Sequence, residues 1–217
     1  MKRQVLTHLK GEFDKIQYFE GTMLPVEGEF YLVHPILLQK GWQFFETILR
    51  HPSNEQALLG AWKSMKDGGK PAIVDFNPDT GEIVVLEAFI GTISTRTYVT
   101  YDERAQKLFQ EKNPKQICNG NAVDEVAKMN MTLPTPEVAL RHLLPHTDRN
   151  HHSFEYLLAT DAQRQKSMSL PEGTAPQLGH TNGWIESRQI RATGCDELIG
   201  FRGIMRIKVP PTQSQAT

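Results

Sequence analysis

The stretch PAIVDFNPDTGEIVVLEAF, residues 71–89, limits the possible folds more than any other part of the chain. Two runs rich in Val, Ile and Phe flank Asn77-Pro78-Asp79-Thr80-Gly81. Asn and Asp side chains bond nearby backbone, Pro presets φ and Gly accepts a left-handed turn, so the centre is a tight reversal. PAIVDF, 71–76, and EIVVLEAFIG, 82–91, are therefore the arms of an antiparallel hairpin. ISTRTYVTY, 93–101, is dense in β-branched residues and reads as a third strand. Asp102 then caps a helix over ERAQKLFQEKN. Such a meander must bury one face, and helices elsewhere in the chain have to cover it.

Those helices lie upstream. Residues 36–50 carry a helical stripe of Ile36, Leu37, Trp42, Phe45 and Leu49. Gly41 within it weakens the helix by about 1 kcal/mol relative to Ala. Ser53 with Gln56 forms a capping-box pattern for a helix over 54–66, with Leu58, Leu59, Trp62 and Met65 on its buried side. Gly68 and Gly69 end it. Residues 3–9 and 12–19 read as short strands split by Gly11, and 29–35 as another. Downstream, a helix is expected over 122–130, and Thr135-Pro136-Glu137 opens the next. A further helix is expected over 151–166, then an aperiodic loop over 167–182. Strands follow at 184–192 and 198–209, and residues 210–217 form a disordered tail. This mixture predicts an α+β fold, a mostly antiparallel sheet with helices packed on one side. Residues 1–209 are expected to form one compact domain, with a division near 113–121 as the alternative.

Composition narrows the function classes. Hydrophobic residues make up 39% and charged residues 23%, which fits a folded globular chain rather than a disordered one. The formal net charge is −1, so a polyanion or a membrane surface would need a local basic patch. No stretch approaches the roughly 18 apolar residues of a membrane span. The N-terminus MKRQVLTHLKGEF has no apolar run behind its basic residues and is not a signal peptide. Cys118 and Cys195 belong to no CxxC pair, and a cytoplasmic location is the expectation.

Four histidines, His142, His146, His151 and His152, stand close together. His142 and His146 have helical ligand spacing, but Pro145 between them breaks the shared face. Asp148 or Asn150 caps the following helix and puts His151 and His152 in its first turn, where the dipole keeps imidazole neutral. No HExxH and no nearby Cys completes a zinc set, so the cluster reads as a polar joint between helices. Asp79 with Glu82 or Glu87 lacks the lysine of a metal-dependent nuclease, since Val84 and Phe89 stand in its place. Phosphate-loop, dinucleotide and GxSxG patterns are absent. No catalytic residue, metal or cofactor is therefore expected. If the chain were an enzyme, a metal-independent ribonuclease would be the preferred reading.

The surface with a signature is the C-terminal pair of strands. Phe201, Met205, Ile207 and Val209 alternate with Arg202, Ile204, Arg206 and Lys208, which predicts one buried and one basic face. The neighbouring strand adds Trp184, Arg188 and Arg191, with His180 near its start. The stretch GFRGIMRI resembles the glycine-rich loop and last strand of the repeat-associated RNA-binding proteins of CRISPR systems. The likeness covers one end of the chain, and Asp196 through Ile199 contain no glycine. It also resembles the RNA-binding strand of an RRM, with Ile204, Met205 and Ile207 where aromatics would stand. Two functions follow. The first is a non-enzymatic regulator or inhibitor that docks on another protein, one with an acidic surface, through loop 167–182 and this hairpin. The second is an RNA-binding or RNA-processing protein in which Arg188, Arg202, Arg206 and Lys208 meet phosphates and Trp184 stacks on a base.

Overall fold

A computed structural model of the chain describes residues 1–17, 31–32, 35–89, 96–136, 138, 154–157, 173–181, 184–196 and 199–208. Among the described residues the helices include α1 (Lys2–Phe13), α2 (Pro35–Arg50), α3 (Glu55–Lys66), α4 (Glu103–Lys112) and α5 (Ala122–Lys128). The strands are β1 (Ile16–Gln17), β2 (Tyr31–Leu32), β3 (Lys70–Asn77), β4 (Glu82–Phe89), β5 (Val99–Thr100) and β6 (Gly120–Asn121). They continue with β7 (Phe154–Leu157), β8 (Thr174–Thr181), β9 (Trp184–Arg191), β10 (Ile199–Phe201) and β11 (Ile204–Lys208). The fold is α+β. One sheet has the order β11-β4-β3, entirely antiparallel, and a second has the order β10-β7-β8-β9. In the second, only the β10–β7 pair is parallel.

The expected hairpin is β3–β4, with Phe76 opposite Ile83 and Asn77 opposite Glu82. Its turn is tied by Asn77 Oδ1, which accepts from the backbone N–H groups of Asp79 (2.9 Å) and Thr80 (3.2 Å). Helices α1, α2 and α3 lie against β3. Phe45 is the hub of this packing: its ring centroid is 5.6 Å from Phe13 of α1 and 5.8 Å from Phe76 of β3. Val5, Leu6, Leu9, Leu37, Leu49, Leu58, Ile73 and Val85 complete the core around it. The other face of the sheet carries a smaller cluster of Val74, Val84, Leu86 and Ile204, with Val138 against it.

Several local expectations are met. Asp102 accepts from Ala105 N–H at 2.8 Å and starts α4. Pro136 and Val138 are helical, and Thr135 Oγ1 accepts from Val138 N–H at 3.5 Å. Others are corrected. Residues 3–9 and 12–13 are helix, not strand: Val5, Leu6, Leu9 and Phe13 are buried at helical spacing, and Gly11 sits inside α1 with open space around it. Gly41 does more than weaken α2; it breaks it, with φ 70° and ψ 163°, a conformation that strains any residue with a Cβ. The capping box at Ser53 does not form. Helix α3 follows a 3-10 turn, Pro52–Asn54, whose Ser53 instead bonds His51 Nδ1 at 2.7 Å. Within 151–166, residues 154–157 are strand β7, and within the expected loop 167–182, residues 174–181 are strand β8. Their pairing to each other and to β9 replaces local periodicity as the organising force. The histidine cluster and the tail 210–217 lie outside the described residues. Among the described residues, no helix is long and apolar enough to cross a membrane.

His8 connects α1 to the sheet. Its Nε2 lies 3.1 Å from the carbonyl of Pro71, and burial is the largest cause holding its pKa below the ordinary 6.5. A neutral imidazole with its proton on Nε2 donates to that carbonyl. Because the folded pKa is depressed, the unfolded chain binds the proton first, so stability falls as pH drops from about 6.5 towards the folded pKa. Urea unfolding measured from about pH 7.5 down to pH 5 should show this loss, and His8→Gln should flatten that limb.

Candidate functional site

Glu87 of β4 and Arg96 are 0% and 2% exposed and form an ion pair between Glu87 Oε2 and Arg96 Nη1. Few chains bury both members of a pair this completely, because removing two charges from water costs several kcal/mol per ion unless further hydrogen bonds repay it. Here they do. Ser64 Oγ of α3 donates to Glu87 Oε1, and the backbone N–H of Gly203 donates to Glu87 Oε2 at 2.5 Å. Arg96 Nη2 reaches the Ser64 carbonyl at 3.4 Å and Met129 Sδ at 3.2 Å, and the guanidinium carbon stands 5.7 Å from the Phe201 ring centroid. One carboxylate thus joins α3, β4, the segment before β5 and the junction between β10 and β11.

That junction decides what becomes of the predicted basic face. Residues 199–208 are not one strand. β10 pairs with β7, the chain breaks register at Arg202 and Gly203, and β11 pairs with β4 in the other sheet. A Cβ at Gly203 would collide with Met131 Sδ and come within 3.0 Å of Glu87 Oε2, so the crossing needs a glycine. The break shifts the alternation. Arg202 is 3% exposed and belongs to the interior, contrary to the expected basic stripe. Beyond the break the pattern returns: Met205 and Ile207 are buried, while Arg206 and Lys208 are exposed. Arg206 is ion-paired with Glu82 across the β11–β4 ladder.

The expected hairpin of 184–192 with 198–209 does not form. β9 pairs with β8 instead, with His180 opposite Ile185, Thr181 opposite Trp184 and Gln177 opposite Arg188. The structure thus groups His180, Trp184, Arg188 and Arg191 on one hairpin and sends Arg206 and Lys208 to another sheet. Strand alternation also divides the first group. Positions 184 and 188 share one face with Ala175 and Gln177, both fully buried, and 191 belongs to the other. Arg191 is exposed.

Sequence reasoning missed the edge this creates. β9 is last in its sheet, and among the described residues it pairs with β8 alone. Ala192 N–H donates to the Gly173 carbonyl at 2.7 Å, continuing the β8–β9 ladder by one pair. In an antiparallel pair, hydrogen-bonded and non-bonded positions alternate. Residues 184, 186, 188 and 190 therefore bond β8, and the N–H groups of Ile185, Ser187 and Gln189 point away from it. Pro176, which lacks an N–H, fits its place opposite Gln189 for the same reason. Among the described residues, no group of three His, Cys, Asp or Glu side chains could hold a metal ion. No family model, curated protein or solved structure matches the chain.

Removing one member of the buried pair strands the other. Glu87→Ala or Arg96→Ala should cost about 3–5 kcal/mol of unfolding free energy, and the double replacement Glu87→Leu with Arg96→Met should recover much of it. Gly203→Ala, which overfills the crossing, should cost about 1–3 kcal/mol. Chemical denaturation of the set checks both expectations.

Proposed function

We propose that the chain is a non-enzymatic binding protein that docks on a protein partner, and that the open edge of β9 is the contact. The carrying observation is the edge itself: among the described residues, eight residues at the end of a sheet, with outward backbone donors at Ile185, Ser187 and Gln189. An exposed edge is a template for a strand from another chain, which supplies affinity through main-chain hydrogen bonds and selectivity through alternate side chains. The occupant fitting this edge is an extended acidic segment of the partner. Arg191 and Gln189, on the face opposite to that of Ala175 and Gln177, are exposed. An RNA-binding role through the C-terminal arginines has less support, because Arg202 is buried and Arg206 is paired with Glu82.

The test uses proline at an outward position. Gln189→Pro deletes an edge-facing N–H without removing a bond to β8. A partner retained by the wild-type chain should survive nuclease, weaken only modestly with salt because main-chain bonds supply most of the affinity, and bind Gln189→Pro at least about ten-fold more weakly, equivalent to about 1.4 kcal/mol. Gln189→Ala should bind normally, and both variants should keep the wild-type unfolding midpoint within a few degrees. Retention that disappears with nuclease and falls steeply with salt would point to RNA and overturn this reading. Self-association of the purified chain through the same edge, read by its hydrodynamic size, would also overturn it.

A further inference from the structure

Cys118 and Cys195 stand far apart in sequence, yet one residue holds their loops together. Tyr98 donates its backbone N–H to the Asp196 carbonyl at 2.9 Å and accepts at its own carbonyl from Asn119 N–H at 2.7 Å. The immediate neighbours of the two cysteines are thus bonded to one peptide unit on either side of Tyr98. Asn119 adds a side-chain bond, Nδ2 to the Thr97 carbonyl at 2.8 Å. Tyr98 itself has φ 56°, a conformation unfavourable for a bulky residue, and these bonds from both directions hold it there. The thiols follow the backbone. Cys195 Sγ lies 3.6 Å from the carbonyl of Ile117, the residue before Cys118, and Cys118 Sγ lies 3.3 Å from the Gly120 carbonyl. Both are free thiols and only partly buried, and Ile117 beside them is 65% exposed.

We propose that Cys118 and Cys195 are a reversible dithiol–disulfide site, oxidised by peroxide, that locks the loop before β6 to the loop after β9. The chemistry balances in two steps. Cys118 sulfur attacks one peroxide oxygen; the S–O bond forms, the O–O bond breaks, and the thiol proton leaves with the departing oxygen as water. The sulfur is oxidised to a sulfenic acid and the peroxide is reduced. Cys195 sulfur then attacks Cys118 sulfur; the S–S bond forms, the S–O bond breaks, and the Cys195 proton leaves in a second water. Cys118 is the first nucleophile because Cys195 is the thiol held in its protonated form. Burial, followed by the charge and hydrogen bond of Cys118, pushes the Cys195 pKa up to about 12. A thiol held in its protonated form is a poor attacking group, so closure is slow compared with a peroxide-detoxifying enzyme.

The disulfide would bear on the docking edge without depending on it. Gly194 N–H donates to the Arg191 carbonyl at 2.8 Å, and the Ala192 carbonyl accepts from Tyr101 N–H at 3.0 Å. A bond at Cys195 therefore anchors the end of β9 to the segment that carries Arg96, and restrains a long loop of the unfolded chain.

The experiment treats the folded, reduced full-length chain with a small molar excess of hydrogen peroxide. Intact mass, free-thiol titration and peptide mapping are then read before and after a dithiol reductant. The expected result is loss of both free thiols, a mass decrease of two hydrogens, and a single cross-linked peptide joining Cys118 to Cys195. Reductant should reverse all three, and the thermal midpoint should be several degrees higher in the oxidised form. Cys118→Ser and Cys195→Ser should each abolish the intramolecular bond while keeping the reduced wild-type midpoint. Two titratable thiols persisting under native conditions would overturn the proposal. Sulfinic acids or intermolecular dimers in place of the internal bond would do the same. The wild-type readouts stand by themselves should a serine variant fail to fold. None of them involves the partner, so they are independent of the β9 contact.

Discussion

The Glu87 carboxylate is the point on which the two sheets converge. It takes a hydroxyl from α3, a backbone N–H from the β10–β11 junction and the guanidinium of Arg96. An ion pair with almost no water contact is a weak source of net stability compared with a well-packed apolar replacement. Its contribution is discrimination. A shifted register at β11 or a displaced segment before β5 would leave one full charge unpaired in the interior, and that penalty exceeds most alternatives available to the chain. The apolar core alone, built of interchangeable Leu, Ile and Val, tolerates such slips more readily.

The crossing at Arg202 and Gly203 follows from this. One extended segment leaves a sheet anchored on β7 and enters another anchored on β4, and the Glu87 carboxylate captures the bare N–H at the step. Among the described residues, the second sheet ends on β9, whose bonds are satisfied on one side by β8.

How much was legible in the residues varies with the range of the interaction. The Asn77–Gly81 turn, the Asp102 cap and the glycines after α3 act within a few residues, and each appears where its chemistry puts it. Arg206 and Lys208 are exposed as alternation requires. Residues 3–9 were misread because Gly11 was weighed as a breaker, although the apolar spacing of Val5, Leu6, Leu9 and Phe13 is helical. β8 had no legible signal: Pro176, Gln177 and Gly179 erase its periodicity, and only pairing on both flanks makes it a strand. Among the candidate residues, Arg202 misled because it lies in the two-residue break between the sheets, where residues 199–205 are all buried and alternation no longer separates a core face from a solvent face.

By itself the amino-acid sequence determined the α+β class, the β3–β4 hairpin and the positions of α3 to α5. These depend on local propensity, capping and hydrophobic period, which a residue carries wherever it is placed. Only the tertiary structure decided that Glu87 and Arg96 meet, that 199–208 serves two sheets, that β9 forms an edge and that Cys118 lies against Cys195. Each of these joins residues distant along the chain. A carboxylate, a glycine or a thiol has no periodic signature of its own; its role is set by the partner that the fold brings within bonding distance.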